Sequence, residues 1–159
     1  MAAGDTNVTN LVASGNVTVA GTMAVTGAQT FTGALGLSAS GFTMAAIART
    51  ATSDGLTTGT IAAGPALQFI SVTSANSAHI VTLPAPTVGN IIILKVGANG
   101  FNLQSSTPAS IAINGGTGAS VKSAIGANAA VVIICTSSTT WQGFTIAAAG
   151  TLAAITPAA

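Results

Sequence analysis

The stretch that decides the fold reads GNVTVA GTMAVT GAQTFT GALGLS and spans residues 15–38. Its glycines recur every six residues, at Gly15, Gly21, Gly27 and Gly33. Within these hexads most odd-numbered positions are apolar and the even-numbered ones are small or polar, which is the period of a strand with one buried face. The large apolar residues are Val17, Val19, Met23, Val25, Phe31, Leu35 and Leu37. One straight strand of this length would be far longer than usual, so the glycines predict bends between short strands.

This hexad segment cannot bury its apolar side alone, and we expect its large apolar residues to pack against other chains. The alternative is a flexible Gly/Ser/Thr linker, which would have no reason to keep its apolar residues in phase. Hexads of the form G-x-V-T-V-x resemble those in the shafts of bacteriophage fibres, where three chains intertwine. The resemblance covers residues 7–44 and implies a homotrimeric stalk. Similar repeats also occur in bacterial adhesins and β-solenoids.

The composition is apolar and almost uncharged. Hydrophobic residues make up 49% of the chain and charged residues 3%, with a mean hydropathy of +0.73. The apolar runs are much shorter than the ~20 residues of a membrane helix, and residues 1–10 lack the features of a signal peptide. A net charge of +1 leaves no basic stripe for phosphates. We therefore expect neither a membrane nor a nucleic acid as partner.

Four regions are predicted along the chain. Residues 1–44 form an N-terminal arm and the β stalk, and residues 45–65 form a connector in which 45–51 could be a short helix. Residues 66–146 alternate β-rich runs with turn residues, which predicts an antiparallel β-sandwich or jelly-roll-like domain. Residues 147–159 form an Ala-rich tail. The predicted strands are 67–73, 79–83, 91–96, 101–104, 111–114, 120–125, 131–136 and 141–146.

A second resemblance rests on the order of motifs in the predicted domain. HIVTLPAP at 79–86 is followed by GNIIILKV at 89–96, IAINGG at 111–116, VVII at 131–134 and TSSTTW at 136–141. This order is similar to a small β domain of phage tail-fibre and head-fibre proteins. The chain lacks the Asp-Gly that precedes the tryptophan in that domain. The resemblance implies a virion protein.

Residues able to carry chemistry are scarce. The chain has one His, one Cys, two acidic residues and no Tyr, so we expect no enzyme, no cofactor and no metal. Cys135 follows a β-branched run and is predicted to be buried and inert. The Gly-rich residues 115–118 predict a hairpin turn, because no Lys-Ser/Thr follows as in a phosphate loop. Trp141 and Phe144 could line a sugar-binding surface, or pack in a core or between subunits.

Together these features predict a non-enzymatic, all-β structural protein located on the surface of a virion. The first interpretation is a capsid decoration or head-fibre protein whose partners are further copies of itself and the major capsid protein or another virion protein. The alternative is a short tail fibre or receptor-binding protein that contacts host surface polysaccharide. A bacterial surface protein, and a polysaccharide-degrading spike limited to Asp5 and Asp54 as carboxylates, are further alternatives.

Overall fold

The computed structural model describes residues 44–118 and 121–156, together with Thr26. Its only helical element in these residues is a 3-10 turn at Thr57–Gly59, and no helix there is long and apolar enough to cross a membrane. The strands are β1 (Ile47–Thr50), β2 (Leu67–Thr73), β3 (Ile80–Thr82), β4 (Ile91–Val96), β5 (Phe101–Gln104), β6 (Ala112–Ile113), β7 (Ser123–Ile125), β8 (Ala130–Ser137), β9 (Thr140–Ile146) and β10 (Leu152–Ala154).

The strands form two sheets. The larger sheet has the order β1–β2–β4–β8–β9–β10, with β6 beside the start of β9, and the smaller sheet has the order β3–β5–β7. The pairs β1–β2, β2–β4, β3–β5 and β6–β9 are parallel, and the other pairs are antiparallel. From β1 to β5 the chain passes repeatedly between the two sheets, so its consecutive passes stack in parallel.

This stacking is a β-solenoid-like arrangement with a coil of 22 to 24 residues. In the larger sheet Ile47 pairs with Ile70 and Ile70 pairs with Leu94, which places equivalent residues 23 and 24 positions apart. On the opposite side a parallel bridge joins Thr60 to Thr82, 22 positions apart. After β5 the direction of the chain reverses. Strand β7 pairs with β5 in the smaller sheet and β8 pairs with β4 in the larger sheet, and both pairs are antiparallel.

One apolar core lies between the sheets, because alternate side chains of each strand point inward. Trp141 and Phe101 are its largest members, and both are at most 1% exposed. The larger sheet contributes Ile70, Val72, Ile92, Leu94, Val96, Val131, Ile133 and Cys135, and the smaller sheet contributes Val81, Leu103 and Ile125.

A polar stack joins successive coils where the chain turns at Gly55. The Gly55 carbonyl accepts hydrogen bonds from the hydroxyls of Thr60 at 3.1 Å and Thr82 at 2.8 Å. Gln104 Nε2 in turn donates to Thr82 Oγ1 at 2.9 Å. Gly55 has a φ of +73°, and a Cβ there would lie 2.6 Å from Thr82 Oγ1. Glycine is therefore required both by the backbone conformation and by the closeness of the next coil.

The all-β prediction is confirmed for the part of the chain that the structure describes, but the antiparallel sandwich or jelly roll is wrong. A jelly roll needs antiparallel neighbours, whereas β1, β2 and β4 run in the same direction. Alternating hydrophobicity reports which side of a strand is buried and not its direction. The direction depends on the connections, and turn residues such as those at 84–86 carry the chain across to the other sheet.

Several local predictions are confirmed and others are wrong. The strands predicted at 67–73, 91–96 and 101–104 have those bounds in the structure, and the other five are found with shifted ends. The short helix considered at 45–51 is wrong, because Ile47–Thr50 is strand β1 and pairs with β2. The segment predicted as a tail contains strand β10. Apart from Thr26, the hexad segment lies outside the described residues, and so do all of its predicted bends and packing residues.

Candidate functional site

The most distinctive surface is the side of the larger sheet that points away from the core. Strand register places side chains of neighbouring strands in rows across this side. The central row consists of Phe69, Ile93, Val132, Phe144 and Ala154. The row beside it consists of Leu67, Ile91, Ile134 and Gln142. Most of these positions carry large apolar side chains although they face away from the core.

A third row runs along the other flank and is mixed in character. It consists of Ala48, Ser71, Lys95, Ala130, Ile146 and Leu152. Lys95 is the one charged side chain in these three rows. We call the nine large apolar residues of the rows the outer face. They are Leu67, Phe69, Ile91, Ile93, Val132, Ile134, Phe144, Ile146 and Leu152.

The outer face is only partly shielded from solvent. Leu67, Ile134 and Ile146 are 36%, 39% and 37% exposed, and Leu152 is 64% exposed. The other five residues are half-buried by their neighbours in the sheet. Surfaces of soluble monomers carry scattered apolar residues, but contiguous apolar patches of this kind typically mark interaction sites.

A shallow depression lies at one end of the outer face, in the notch between β6 and β10 along the edge of β9. Its volume is about 460 Å³. The lining is mostly apolar, with two amide side chains. The lining residues are Asn114, Ile134, Gln142, Gly143, Phe144 and Ala154. Such a depression can accept an apolar group and offer a hydrogen bond from Gln142, which is exposed.

Asn114 builds the floor of this notch. Its Nδ2 donates to the carbonyls of Gly143 and Ile155, each at 2.8 Å, and its Oδ1 accepts from the Gly143 N–H at 2.9 Å. The carboxamide thus pairs with the β9 backbone as a neighbouring strand would. A Cβ on Gly143 would lie 2.9 Å from Ile155 Cδ1, so the missing side chain leaves room for buried Ile155. This amide clamp ties the C-terminal segment to the sheet.

The hairpin turn predicted at 115–118 is found two residues earlier, at 113–116. Ile113 and Gly116 exchange two backbone hydrogen bonds around Asn114 and Gly115. Both central residues have positive φ, +47° and +87°, as an Asn-Gly turn of type I′ requires. The same turn therefore forms the hairpin and aims the Asn114 amide at β9.

The side chains that could take part in catalysis or metal binding either lie outside the outer face or are buried. His79 Nδ1 lies 3.1 Å from the Ala51 carbonyl. Cys135 is 1% exposed, as predicted for a buried thiol, and its burial raises its pKa. Asp54 accepts hydrogen bonds from the Leu56 N–H and the Thr52 hydroxyl, which hold its pKa below the ordinary value. Among the described residues no three His, Cys, Asp or Glu side chains are grouped as metal ligands would be.

The two aromatic residues considered for sugar binding have different positions. Trp141 is fully buried in the core, so the idea that it lines a sugar-binding surface is wrong. Phe144 lies in the outer face and lines the depression. The predicted stalk residues are not among those described. Sequence reasoning did not identify the outer face as a site, although the uninterrupted apolar run at 91–94 is its signal in the sequence.

Comparison with known proteins gives no relative. No protein-family model, no curated protein and no solved structure matches this chain.

Proposed function

We propose that this chain is a structural protein of a virion, a capsid decoration or head-fibre protein that acts as a homotrimer on the particle surface. The observation that carries the proposal is the outer face, whose three rows contain a single charged side chain, in a chain with 3% charged residues. Such a protein gains solubility when its surface is covered by copies of itself or by a larger assembly. The motif order from residue 79 to residue 141 is similar to that of phage fibre domains, which supports the proposal that the chain belongs to a virion.

In this proposal the N-terminal hexads form an intertwined stalk, with the large apolar residues packed between three chains and the glycines at the bends. The β-solenoid-like domain is the globular part. Its role is mechanical, because apolar burial between chains and completed β ladders stabilise the assembly. The partner on the particle is the major capsid protein or another virion protein, and neither nucleic acid nor membrane takes part.

The test is to search for the chain in gradient-purified phage particles from its own source by peptide mass spectrometry, and to locate it by cryo-electron microscopy. We expect threefold density for this chain on the outside of the head. Recovery only in the soluble fraction of infected cells, with none in purified particles, would overturn the proposal.

One observation favours a second function, a short tail fibre or receptor-binding protein that contacts host surface polysaccharide. Phe144 and Gln142 combine an aromatic side chain and an exposed amide at the same depression. An aromatic beside a hydrogen-bonding amide suits a sugar ring. Glycan-array binding by the full chain that is lost in Phe144→Ala, together with density on the tail, would favour this function over head decoration.

A further inference from the structure

We propose that the outer face of the larger sheet is the surface on which a second copy of this chain packs. The inference rests on the proposed function only in that the chain assembles with itself. It names a different contact from the hexad stalk, because all of its residues lie between β2 and β10.

The exposed apolar area is large enough to form the centre of a stable interface. A fully exposed large apolar side chain presents on the order of 150–200 Å². With the exposed fractions given above, the outer face leaves roughly 500 Å² of apolar surface in contact with water, which is at the upper end for patches on monomers. A standard interface covers about 800 Å² per partner, with an apolar centre and a polar rim. The outer face has the size of the apolar centre of such an interface, and its flanking polar residues would form the rim.

The distribution of charge indicates a second copy as the occupant. A partner of different sequence is usually selected by complementary charges, but the three rows contain only one charged side chain, Lys95 in the flanking row. Two copies related by a twofold axis need a surface that is complementary to itself. Rows of uncharged β-branched and aromatic side chains fulfil this condition, and Lys95 then lies towards the rim, where its ammonium group stays hydrated.

The position of the patch also suits sheet-to-sheet packing. Two sheets pack face to face about 10 Å apart through interdigitating apolar side chains. The rows of the outer face extend over β2, β4, β8, β9 and β10, so they present a continuous sheet surface for such packing.

The test uses the full chain and the double variant Ile134→Lys with Ile146→Lys. Both residues are exposed in the single chain, and lysine can extend its ammonium group into water, so the variant should fold. Burying the Ile134→Lys ammonium group in the interface should weaken association at least ~10-fold, and Ile146→Lys adds a second positive charge to the flanking row of Lys95. The matched control is Leu56→Lys with Val88→Lys, which replaces two residues that are 57% and 66% exposed in loops outside the sheet rows.

Sedimentation velocity and native mass spectrometry over a wide range of concentration measure the association, and circular dichroism reports folding. We expect a smaller assembly for the double variant and an unchanged one for the control. If the double variant does not fold, Leu152→Lys, at the most exposed position of the face, should still weaken association ~10-fold.

Two results would overturn the inference. One is a parent chain that is monomeric at all concentrations. The other is a folded variant that keeps the parent's mass and association constant, which would assign the assembly to other residues. If the thermal stability of that folded variant also fell, another segment of the same chain would be covering the outer face. Absence of the chain from virions, with association still dependent on Ile134 and Ile146, would remove the proposed function and leave this inference standing.

Discussion

Replacing Asn114 by alanine should loosen the C-terminal part of the fold. The substitution removes three hydrogen bonds of 2.8 to 2.9 Å, two to Gly143 and one to Ile155. It leaves partly buried backbone groups of both residues without those partners. It also places alanine at a φ of +47°, a left-handed conformation that asparagine tolerates better than other residues with a side chain.

The expected loss can be separated into two parts. Each of the three hydrogen bonds contributes roughly 0.5–1.5 kcal/mol net, and partial exposure of the site favours the lower half of that range. Their sum is about 1.5–3 kcal/mol. The left-handed backbone adds about 1 kcal/mol. For a chain of this size each kcal/mol shifts the melting temperature by roughly 2–4 °C, so Asn114→Ala should lower it by about 5–16 °C.

Asn128→Ala is the matched control. Asn128 has a φ of +55° and is exposed, and its side chain forms no hydrogen bond with the other described residues. This variant should therefore lose only the stability that is due to the left-handed backbone, about 1 kcal/mol. Urea unfolding of both variants at the same protomer concentration gives the difference between their free energies of unfolding. This difference measures the contribution of the amide clamp. A difference below about 0.5 kcal/mol would refute the view that the Asn114 carboxamide replaces a strand.

Three further predictions concern single side chains. Gly143→Ala should destabilise the chain by about 1–3 kcal/mol in urea unfolding, because the new Cβ would lie 2.5 Å from the Val132 carbonyl oxygen, whereas Gly126→Ala, with no atom within 4 Å, should change little. The pKa of Asp54 is lowered in the folded state, so its stabilising contribution is present above the ordinary aspartate pKa and lost as the pH falls through the folded value; Asp54→Asn should reduce the difference between urea midpoints at neutral and strongly acidic pH. Cys135 should react with a thiol reagent only when the chain opens, since the residue is 1% exposed and burial also raises the pKa of its thiol. Rapid modification of the folded protein would contradict its buried position.

Strand positions were predictable where short β-rich runs are separated by turn residues. The bounds of β2, β4 and β5 follow from this pattern alone. Strand β1 could not be predicted, because Met44, Ile47 and Ala48 also fit helical spacing. The hydrogen bonds that β2 offers along its edge decide in favour of a strand, and this is a tertiary effect. Strand β10 has the same origin, since its Ala-rich sequence has little preference of its own.

The solenoid-like topology was not predictable from periodicity. Parallel and antiparallel strands share the same alternation of two residues. The coil of 22 to 24 residues leaves no obvious repeat in the sequence, because structurally equivalent positions such as Arg49 and Val72 carry different residue types. The Asn114 clamp was hidden for a similar reason. The Asn-Gly pair predicts the turn, but the partner of its amide lies 29 residues further along the chain.

The outer face exists because some strands carry apolar residues on both sides, whereas the single chain fully buries only one side of these strands. The run Ile91, Ile92, Ile93 and Leu94 is typical of a strand that is buried on both sides. In the single chain only Ile92 and Leu94 are fully buried, at 0% exposure, and the alternate residues of the run point outward. The same doubly apolar pattern occurs in β8, where Val132 and Ile134 alternate with buried Val131 and Ile133. A solvated sheet surface would tolerate Thr, Lys or Gln at these outward positions. The β-branched residues that adjacent strands carry there are better explained by a second apolar surface packed against them. The experiment on Ile134 and Ile146 therefore tests the origin of this sequence pattern as well as the interface.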